Sequence, residues 1–575
     1  MLCVVLVITG LAGAEYTPPN VELNNDLLLA RPRLSDGQYD FIDRIETASQ
    51  GFLLSGTYPY IKHCIPKYKV YHSQIKSIKE LRRYNSEGHA RERKFTKFQL
   101  RTNYYGRGWG RINRVFRKWE MLRWIYRDGF HFGSGCYNER IVATFQPVYG
   151  IEVTDTDDER GNITRITTGF RVEGAYKTRR DDHFYYMVDF RDHAESGNGP
   201  YDSRARLYED RWAAVDTKGK SETSYDISES LIQYYGRDLA ITAGRGRQQW
   251  GPAQYGGLFL NGYAPPFDYV RFDGIFERSD NPWALYYTFL HGFLESTTPA
   301  ETLYTLPDGR ARTINNQKYI SAQRVEIRPR ANAIFGFSQG VIYGDRGLQL
   351  SYLTPLNWLY SVQHSNDDKD NLLLAADFKW RPTPGLKLYG ELLMDDVVVG
   401  DLFESTGNNK SAYTVGVHGI VPRSFWEKFD GRVEYTKIRP FVYTHFFETN
   451  TYSHWTSPLG YTREPNSEFI TTEVRGTFYP VQITLHYSRQ NHGANYYAAD
   501  GSFVNVGGDI NMPNFLGNDS EFPFLAGSFE RTTRTGVRVT WEVLPGLMLY
   551  ASGIRIEESR TDSRFETQAG FGWNL

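Results

Sequence analysis

The chain has 575 residues and a mass of 66.4 kDa, enough for several ordinary domains or for one large barrel with an appendage. Its 66 Lys and Arg against 67 Asp and Glu leave a net charge of −1, which argues against a nucleic-acid-binding protein. A mean hydropathy of −0.53 excludes a bundle of membrane-spanning helices. The 12 Trp, 41 Tyr, 35 Phe and 53 Gly favour many short strands, and 3 Cys are too few for a disulfide scaffold.

The first residues, 1–14, have the pattern of a secretory signal peptide. An apolar stretch that ends at Leu11 is followed by Ala12-Gly13-Ala14, a small-residue cleavage pattern, so we expect cleavage after Ala14. The alternative is a buried N-terminal strand. Cleavage would leave Cys64 and Cys136, which could form a disulfide in an oxidising compartment if the fold brings them together.

Residues 15–138 are predicted to form a separate helical segment. Tyr71, Ile75 and Ile78 recur at the spacing of one helix face, and residues 67–127 are strongly basic. A basic amphipathic segment can contact an anionic polymer or lipid headgroups, or its charged face can simply be solvated. Both alternatives stay open at this point.

Beyond residue 138 the hydrophobic period changes to two. In residues 481–488, for example, Val481, Ile483 and Leu485 alternate with polar residues, which gives a strand one apolar and one polar face. In a soluble sandwich the apolar faces meet one another. In an outer-membrane barrel they meet lipid, and the polar faces line the lumen. The period alone does not separate these two architectures.

The lengths of the connections favour the barrel. Long and short connections alternate along the chain, as they do in outer-membrane barrels with long loops on one rim and tight turns on the other. We therefore predict an all-β transmembrane barrel of about 18 antiparallel strands over residues 139–575, with residues 15–138 as a small periplasmic helical domain and the long loops outside the cell. The predicted strands are residues 141–152, 165–176, 182–192, 227–234, 239–247, 268–278, 283–294, 317–328, 332–342, 371–380, 386–395, 411–420, 430–448, 467–478, 481–490, 534–543, 547–556 and 564–575. The long connections are residues 193–226, 248–267, 295–316, 343–370, 449–466 and 491–533.

Several motifs resemble those of the capsule-assembly outer-membrane proteins of the Wzi type. Gly244-Arg245, Trp250-Gly251-Pro252 and the run Gly256–Asn261 ahead of a proline follow that family's pattern. Further matches are residues 350–357, 371–374, 385–392 and 433–440, and the order of the motifs carries the resemblance. The resemblance implies an 18-stranded barrel with a small periplasmic helical domain. It also implies a non-catalytic, lectin-like role in holding or organising extracellular or capsular polysaccharide.

A polysaccharide site needs flat apolar faces for the sugar rings and fixed polar groups for the hydroxyls. The end of the fifth predicted strand and the loop after it supply Arg245, Arg247, Gln249, Trp250 and Tyr255. Arg can hold an acidic sugar through two hydrogen bonds to its carboxylate. Alternatively, these residues are rigid turns of a plug inside the barrel. The loop over residues 343–370 adds two candidate ligand-binding residues, Trp358 and His364.

The polar faces of the strands carry charges of both signs. Buried charges persist only when they are paired or hydrated, so we predict a network of salt bridges in the lumen that obstructs free diffusion. A lumen of one sign would instead have indicated an ion-selective porin. The charged positions are Arg324, Glu326, Arg328, Glu434, Glu473, Arg475, Arg538 and Glu542.

The sequence gives little support for catalysis. The carboxylates of Asp395 and Asp396 are neighbours on a predicted strand and point to opposite faces, so they cannot act on one bond. No zinc-type spacing, nucleophile elbow or phosphate-binding loop is present, and we expect no enzyme activity, metal or cofactor. The expected partners are polysaccharide, outer-membrane lipid, and periplasmic or export-machinery proteins, and not nucleic acid. The alternative function is an outer-membrane porin or solute channel.

Overall fold

The computed structural model describes residues 57–58, 130–131, 141–157, 161–178, 182–197, 216–218, 222–236, 238–277, 283–305, 311–366, 369–395, 410–420, 429–478, 481–513, 522–544 and 547–573. The predicted signal peptide, Cys64 and Cys136 lie outside the described residues. So does nearly all of the predicted helical segment. Its described residues, Thr57–Tyr58 and Phe130–His131, form two short strands.

Eighteen long antiparallel strands close into one barrel, as the alternating pattern predicts. The last strand pairs with the first, through Phe571 and Ile151, so the sheet has no open edge. The strands are β1 Ile141–Thr156, β2 Asn162–Lys177, β3 His183–Gly197, β4 Glu222–Tyr235, β5 Leu239–Gly246, β6 Phe267–Glu277, β7 Ala284–Thr305, β8 Ala311–Arg330, β9 Ala333–Gly344, β10 Asn371–Thr383, β11 Leu386–Asp395, β12 Lys410–Ile420, β13 Phe429–Ile438, β14 Ser467–Phe478, β15 Val481–Ala494, β16 Ser528–Leu544, β17 Leu547–Glu558 and β18 Arg564–Trp573.

Two stretches differ from the sequence-based prediction. The strand predicted over residues 430–448 ends at Ile438, and left-handed backbone at Phe441 (φ 63°) and Tyr443 (φ 73°) then turns the chain away from the sheet. The long loop predicted over residues 295–316 is wrong, because β7 and β8 go on pairing there as a hairpin with register shifts. Irregular pairing of this kind has no strict period, so the alternation did not reveal it.

Successive side chains alternate between the two faces of the wall, as the period of two requires. On β16, Val537, Val539 and Trp541 point outward and are exposed. On β8, Arg324 and Glu326 point inward and are buried. An apolar outer face around a charged lumen is the pattern of a transmembrane barrel. Within the described ranges, no helix combines the length and the apolar character needed to cross a membrane.

The predicted network of lumenal charges is confirmed for four of its members. Arg324 contacts Glu326 at 2.7 Å and Asp377 at 2.6 Å, and Arg475 lies 3.8 Å from Glu473. Three other members have different neighbours. Arg328 lies over the ring of Tyr286 at 5.6 Å, Arg538 lies over the ring of Tyr550 at 4.8 Å, and Glu434 binds the backbone of a loop. The side chain of Glu542 lies outside the described part of the chain.

Arg324→Ala tests how strongly this network stabilises the barrel. The substitution leaves the buried carboxylates of Glu326 and Asp377 without their shared cation, which we expect to cost about 3–5 kcal/mol of unfolding free energy. Samples are heated to a series of temperatures before electrophoresis, and the measurement is the temperature at which the band of the folded barrel disappears. Arg555→Ala is the control, because the Arg555–Glu557 pair is 63% and 51% exposed and removing it is expected to cost about 0–1 kcal/mol. Equal shifts for the two variants would contradict the prediction.

Candidate functional site: a lumenal plug and the rim above it

The connection between β5 and β6, residues 247–266, folds into the lumen, and we call it the plug loop. Trp250 in this loop is fully buried, and its ring stacks on Phe259 at 5.5 Å with an interplanar angle of 13°. The short strand Gln249–Trp250 pairs on one side with Thr57–Tyr58 and on the other with Leu260–Asn261. The apolar residues of the plug loop join inward-facing residues of the wall in one buried cluster, among them Trp250, Leu258, Leu260, Ile342, Leu373 and Leu393.

Two carboxylates on the barrel wall hold the tip of the plug loop by its backbone. Glu391, on β11, accepts hydrogen bonds from the N–H groups of Ala253 and Leu258, both at 2.7 Å. Glu434, on β13, accepts from the N–H groups of Gln254 (2.9 Å) and Tyr255 (3.4 Å). Each side chain satisfies two backbone N–H groups that the loop itself leaves unpaired, so these contacts fix a loop that has little regular structure of its own.

Gly251 permits the close approach of the plug loop to Glu391. Its φ of +111° is a conformation that side-chain-bearing residues rarely adopt. A Cβ atom at this position would clash with a Glu391 carboxylate oxygen, which leaves no room for it. The Trp-Gly-Pro motif therefore combines a buried ring, a glycine that fits against a carboxylate, and a residue of fixed φ.

Residues 439–466, between β13 and β14, cover the plug loop, and we call them the cap loop. Tyr443 and Tyr452 donate their hydroxyl hydrogens to the carbonyl oxygens of Leu258 (2.7 Å) and Phe259 (2.6 Å). Burial raises the pKa of both phenols above the usual value, so both stay protonated donors. Burial likewise lowers the pKa of His454 in this loop to about 3, so its imidazole is neutral and its Nδ1 accepts from a backbone N–H.

A third loop, residues 495–527, lies against the cap loop, and we call it the outer loop. The N–H of Phe441 donates to the carbonyl oxygen of Gly507 (3.1 Å), and the N–H of Ile510 donates to Glu464 (2.9 Å). Near its start the outer loop forms a small hairpin, in which Tyr496–Tyr497 pairs with Phe503–Val504.

The small hairpin presents an exposed aromatic pair. Tyr497 is 74% exposed and Phe503 is 44% exposed, and their ring centroids lie 5.3 Å apart. At the turn, Asp500 accepts from the backbone N–H and the hydroxyl of Ser502, and these hydrogen bonds lower the pKa of the carboxyl. An aromatic pair beside polar turn residues is a surface that sugar rings can contact.

Four of the seven ligand-binding residues predicted from the sequence lie together in the plug loop. Gln249 donates to the carbonyl oxygen of Ala253 (3.0 Å), and Arg247 lies 3.6 Å from the carboxylate of Glu229. Tyr255 lies at the tip of the loop, where burial raises the pKa of its phenol. Trp250 is the fourth, and its ring is enclosed by the plug, so in this conformation it is a packing residue.

The other three predicted residues lie on the outer side of the barrel wall. Arg245 points outward from β5 and pairs with Asp268 at 3.3 Å. Trp358 stacks on the outward-facing Phe337, and His364 contacts Tyr360 in a short helix beside it. The structure does not bring these three residues to the plug loop.

Sequence reasoning missed the aromatic pair of the outer loop. A usable signal was present, because Asp500-Gly501 is a turn pair flanked by Tyr496-Tyr497 and Phe503-Val504. Within the described residues, no group of three or more His, Cys, Asp and Glu side chains could hold a metal ion. Asp395, one of the two carboxylates considered for catalysis, is buried and accepts from the backbone N–H of Tyr443 at 2.6 Å.

Comparisons with known proteins gave one family and several similar barrels. The sequence model of the family "Capsule assembly protein Wzi" matches residues 140–567. Among solved structures, Wzi of Escherichia coli, described as an outer membrane protein involved in group 1 capsule assembly and a carbohydrate-binding β-barrel, has a TM-score of 0.50 at 12% identity, with 96% of this chain and 99% of that chain covered.

Two further solved structures, one of them a BenF-like porin, are also similar, with lower scores. OccAB4 of Acinetobacter baumannii has a TM-score of 0.38 at 10% identity, covering 77% of this chain and 99% of its own. A BenF-like porin of Pseudomonas fluorescens has a TM-score of 0.42 at 9% identity, covering 76% of this chain and 98% of its own. No curated protein sequence matched the chain.

Glu391→Gln tests the attachment of the plug loop. The amide keeps one acceptor oxygen but turns a donor toward a backbone N–H, so one hydrogen bond is lost and a buried N–H is left without an acceptor, which costs about 1–3 kcal/mol. We expect more frequent conducting events in planar lipid bilayers than with the unaltered protein. Glu557→Gln, at an exposed pair on the outer side of β17, is the control and should change nothing. Identical traces for both variants would contradict the role of Glu391.

Gly251→Ala tests the same contact from the side of the loop. The added methyl group clashes with Glu391 and the left-handed backbone is strained. We therefore expect the folded band to disappear from gels at a lower sample temperature, and conducting events to become as frequent as those expected for Glu391→Gln. Gly347→Ala is the matched control, because a Cβ at Gly347 meets nothing within 4 Å. A Gly251→Ala protein that behaves like the control would show that the plug loop does not depend on this approach.

Proposed function

Because the chain belongs to the capsule assembly protein Wzi family, we propose that it is a non-catalytic outer-membrane barrel that binds or organises polysaccharide at the cell surface. In this proposal the long loops are extracellular, the tight turns are periplasmic, and the wall is embedded in outer-membrane lipid. The observation that carries the proposal is the family match over residues 140–567, which includes the plug, cap and outer loops. The apolar outer face around a charged lumen supports the location.

The rim of long loops is the part of the molecule best suited to a polymer. Tyr497 and Phe503 offer apolar ring faces, and Tyr263 in the plug loop is 46% exposed. Asp500 and Asn511 are exposed polar residues of the outer loop. The outer loop is fixed to the cap loop and the cap loop to the plug loop, so a sugar chain would meet a surface that is already ordered. Such preorganisation lowers the entropic cost of binding.

The plug loop acts in this proposal as the support of the binding surface. Arg247, Gln249 and Tyr255 remain candidate residues for a sugar that enters the lumen, with Trp250 as the packed residue beneath them. Arg245, Trp358 and His364 lie on the outer side of the wall, where an extracellular polymer would not reach them. The proposed primary contacts are therefore the exposed aromatic residues of the rim.

The combined substitution of Tyr497 and Phe503 by Ala tests the proposed binding surface. We expect immobilised, detergent-solubilised protein to retain alginate, a polyuronate, and the double variant to lose most of this retention because the apolar ring faces are gone. Phe276→Ala is the control, since Phe276 is a 59% exposed aromatic residue on the outer side of the wall. Neutral dextran, run in parallel, distinguishes recognition of acidic sugars from general stacking. Unchanged retention of both polymers by the double variant would exclude this surface as the site.

One observation favours the alternative function, a solute channel. The inward-facing side chains of β15, β16 and β17 keep partial exposure in the middle of the strands, and Arg538 on β16 is exposed within the lumen. A strip of accessible wall that the plug loop leaves uncovered is what a narrow pore would need. The OccAB4 and BenF-like structures have low TM-scores against this chain and add no support.

Planar-bilayer recording separates the two functions. A plugged polysaccharide-binding barrel is expected to show only rare conducting events, because the plug loop is held by four backbone hydrogen bonds. A channel would conduct steadily, and Arg538→Glu would shift its preference from anions toward cations because the accessible charge changes sign. Steady current with that shift would replace the binding function by transport.

A further inference from the structure

The connection between β9 and β10, residues 345–370, packs against the outside of the barrel wall, and we call it the outer-wall segment. It contains two short helices, α1 Leu350–Leu353 and α2 Leu359–Ser365. Tyr352 and Leu359 form a buried cluster with wall residues of β8, β9 and β10. Those wall residues point outward, because their neighbours along each strand belong to the lumenal cluster. The wall members of the outer cluster are Tyr319, Val341, Tyr343 and Leu372, and their lumenal neighbours are Ile320, Ile342 and Leu373.

The segment reaches about half way down the wall. Gln339, the seventh of the twelve residues of β9, donates to the carbonyl oxygen of Asn357 (3.0 Å) and accepts from the N–H of Leu359 (3.1 Å). Further toward the tight turns, the ring of Trp358 stacks on Phe337 with centroids 6.2 Å apart and planes at 10°. In a barrel whose apolar band is about 25 Å tall, this position lies within the band.

The surface of the segment that faces away from the wall exposes large apolar residues, although α2 also exposes the polar side chains of Ser361, His364 and Ser365. Leu350 is 80% exposed, Leu356 is 79% exposed and Trp358 is 48% exposed. Between the segment and the tight turns, the same strands carry exposed aromatic residues, such as Phe335 and Trp380. The apolar outer surface of the barrel therefore continues over the segment at Leu350, Leu356 and Trp358.

Polar groups on the wall and on the segment satisfy one another. Gln323 donates to the carbonyl oxygen of Asn357 (3.0 Å), and the hydroxyl of Tyr287 accepts from the N–H of Leu356 (2.9 Å). The hydroxyl of Ser321 donates to the carbonyl oxygen of Tyr352 (2.6 Å).

Irregular backbone is tolerated at membrane depth only where protein satisfies its hydrogen bonds, and outward Gln side chains would be unfavourable on a bare lipid-facing wall. In water, solvent could hydrogen-bond both the backbone of the segment and the Gln side chains, so the two would not need to bind each other.

A group of ion-paired and hydrogen-bonded side chains lies at the upper end of the segment, where the segment meets the rim. Arg346 pairs with Asp370 at 2.5 Å, and the same carboxylate accepts from the hydroxyl of Tyr352 at 2.6 Å. Gln363 donates to the carbonyl oxygen of Asp370 (2.7 Å), which ties α2 to the same point. The charged residues are thus gathered at one end and the exposed apolar residues lie below them, as in an element that enters a bilayer from its surface.

We propose that the outer-wall segment is embedded in the lipid bilayer, with Leu350, Leu356 and Trp358 in contact with acyl chains. The partner of this surface is lipid, and the segment is not part of the polymer-binding rim. The inference is independent of the proposed polysaccharide function, because it rests only on the outer side of the wall.

A nitroxide label tests the environment of Leu356. The label is attached to Leu356→Cys in the full chain with its three native cysteines replaced by serine, and the protein is reconstituted in phosphatidylglycerol–phosphatidylethanolamine vesicles. Collision rates are measured with oxygen, which concentrates in lipid, and with a water-soluble nickel chelate. Val537→Cys, on the outer face of β16, is the lipid control, and Tyr497→Cys on the rim is the water control.

We expect the label at position 356 to match the Val537→Cys control, with a high oxygen rate and a low nickel rate. A nickel rate equal to that of Tyr497→Cys would overturn the proposal in favour of a solvated loop. Protection from both reagents would also overturn it, because another protein, such as a second copy of this chain, would then cover the surface.

A second variant tests the role of the wall glutamines. Gln323→Leu combined with Gln339→Leu keeps a lipid-compatible wall but removes the partners of the Asn357 carbonyl and the Leu359 N–H. We expect the label at position 356 to gain nickel access as the segment detaches. Thr535→Leu, an outward polar position on β16, is the control and should leave the label unchanged. An unchanged nickel collision rate at position 356 in the double glutamine variant would refute the proposal that these hydrogen bonds hold the segment in the lipid.

Discussion

The architecture depends on two wall carboxylates that hold a loop by its backbone. Glu391 and Glu434 project into the lumen from neighbouring parts of the sheet, and each accepts backbone N–H groups of the plug loop. A buried carboxylate is unfavourable without partners, and an irregular loop inside a barrel has unpaired N–H groups. Each therefore supplies what the other lacks. The cap loop then rests on the plug loop through Tyr443 and Tyr452, and the outer loop rests on the cap loop.

The same principle operates on the other side of the wall. Gln323 and Gln339 point outward and bind the backbone of the outer-wall segment, much as the two carboxylates bind the plug loop. The difference in chemistry follows the difference in surroundings. In the lumen, carboxyl groups bind the backbone of the loop, whereas on the outer face of the wall uncharged amide side chains bind it. The same sheet thus binds the plug loop on its lumenal face and the outer-wall segment on its outer face.

The sequence predicted the barrel well because strand period is a local property. Val481, Ile483 and Leu485 show their alternation without reference to any other part of the chain, and so do the strands that close the barrel. The prediction failed where the strand pairing becomes irregular. The chain leaves the sheet after Ile438 through left-handed residues, and the hairpin of β7 and β8 continues with bulges.

The candidate site was predictable only in part, because the direction in which a long loop folds depends on distant residues. Trp250 and Tyr255 fold inward because Glu391 and Glu434, far along the chain, receive the loop. Arg245 and Arg247 share strand parity, yet β5 ends at Gly246, so Arg245 stays on the outer face while Arg247 leaves the alternation and meets Glu229. Trp358 lies outside because of wall glutamines that no local pattern connects to it.

Hydrogen–deuterium exchange of the plug-loop amides, measured on the protein in lipid nanodiscs, tests the central claim most directly. The account predicts that the N–H groups of Ala253, Gln254 and Leu258 exchange as slowly as those of the neighbouring barrel strands, although they belong to an irregular loop. Exchange at the rate of exposed turns would contradict it, because the carboxylates of Glu391 and Glu434 would then not be holding the loop.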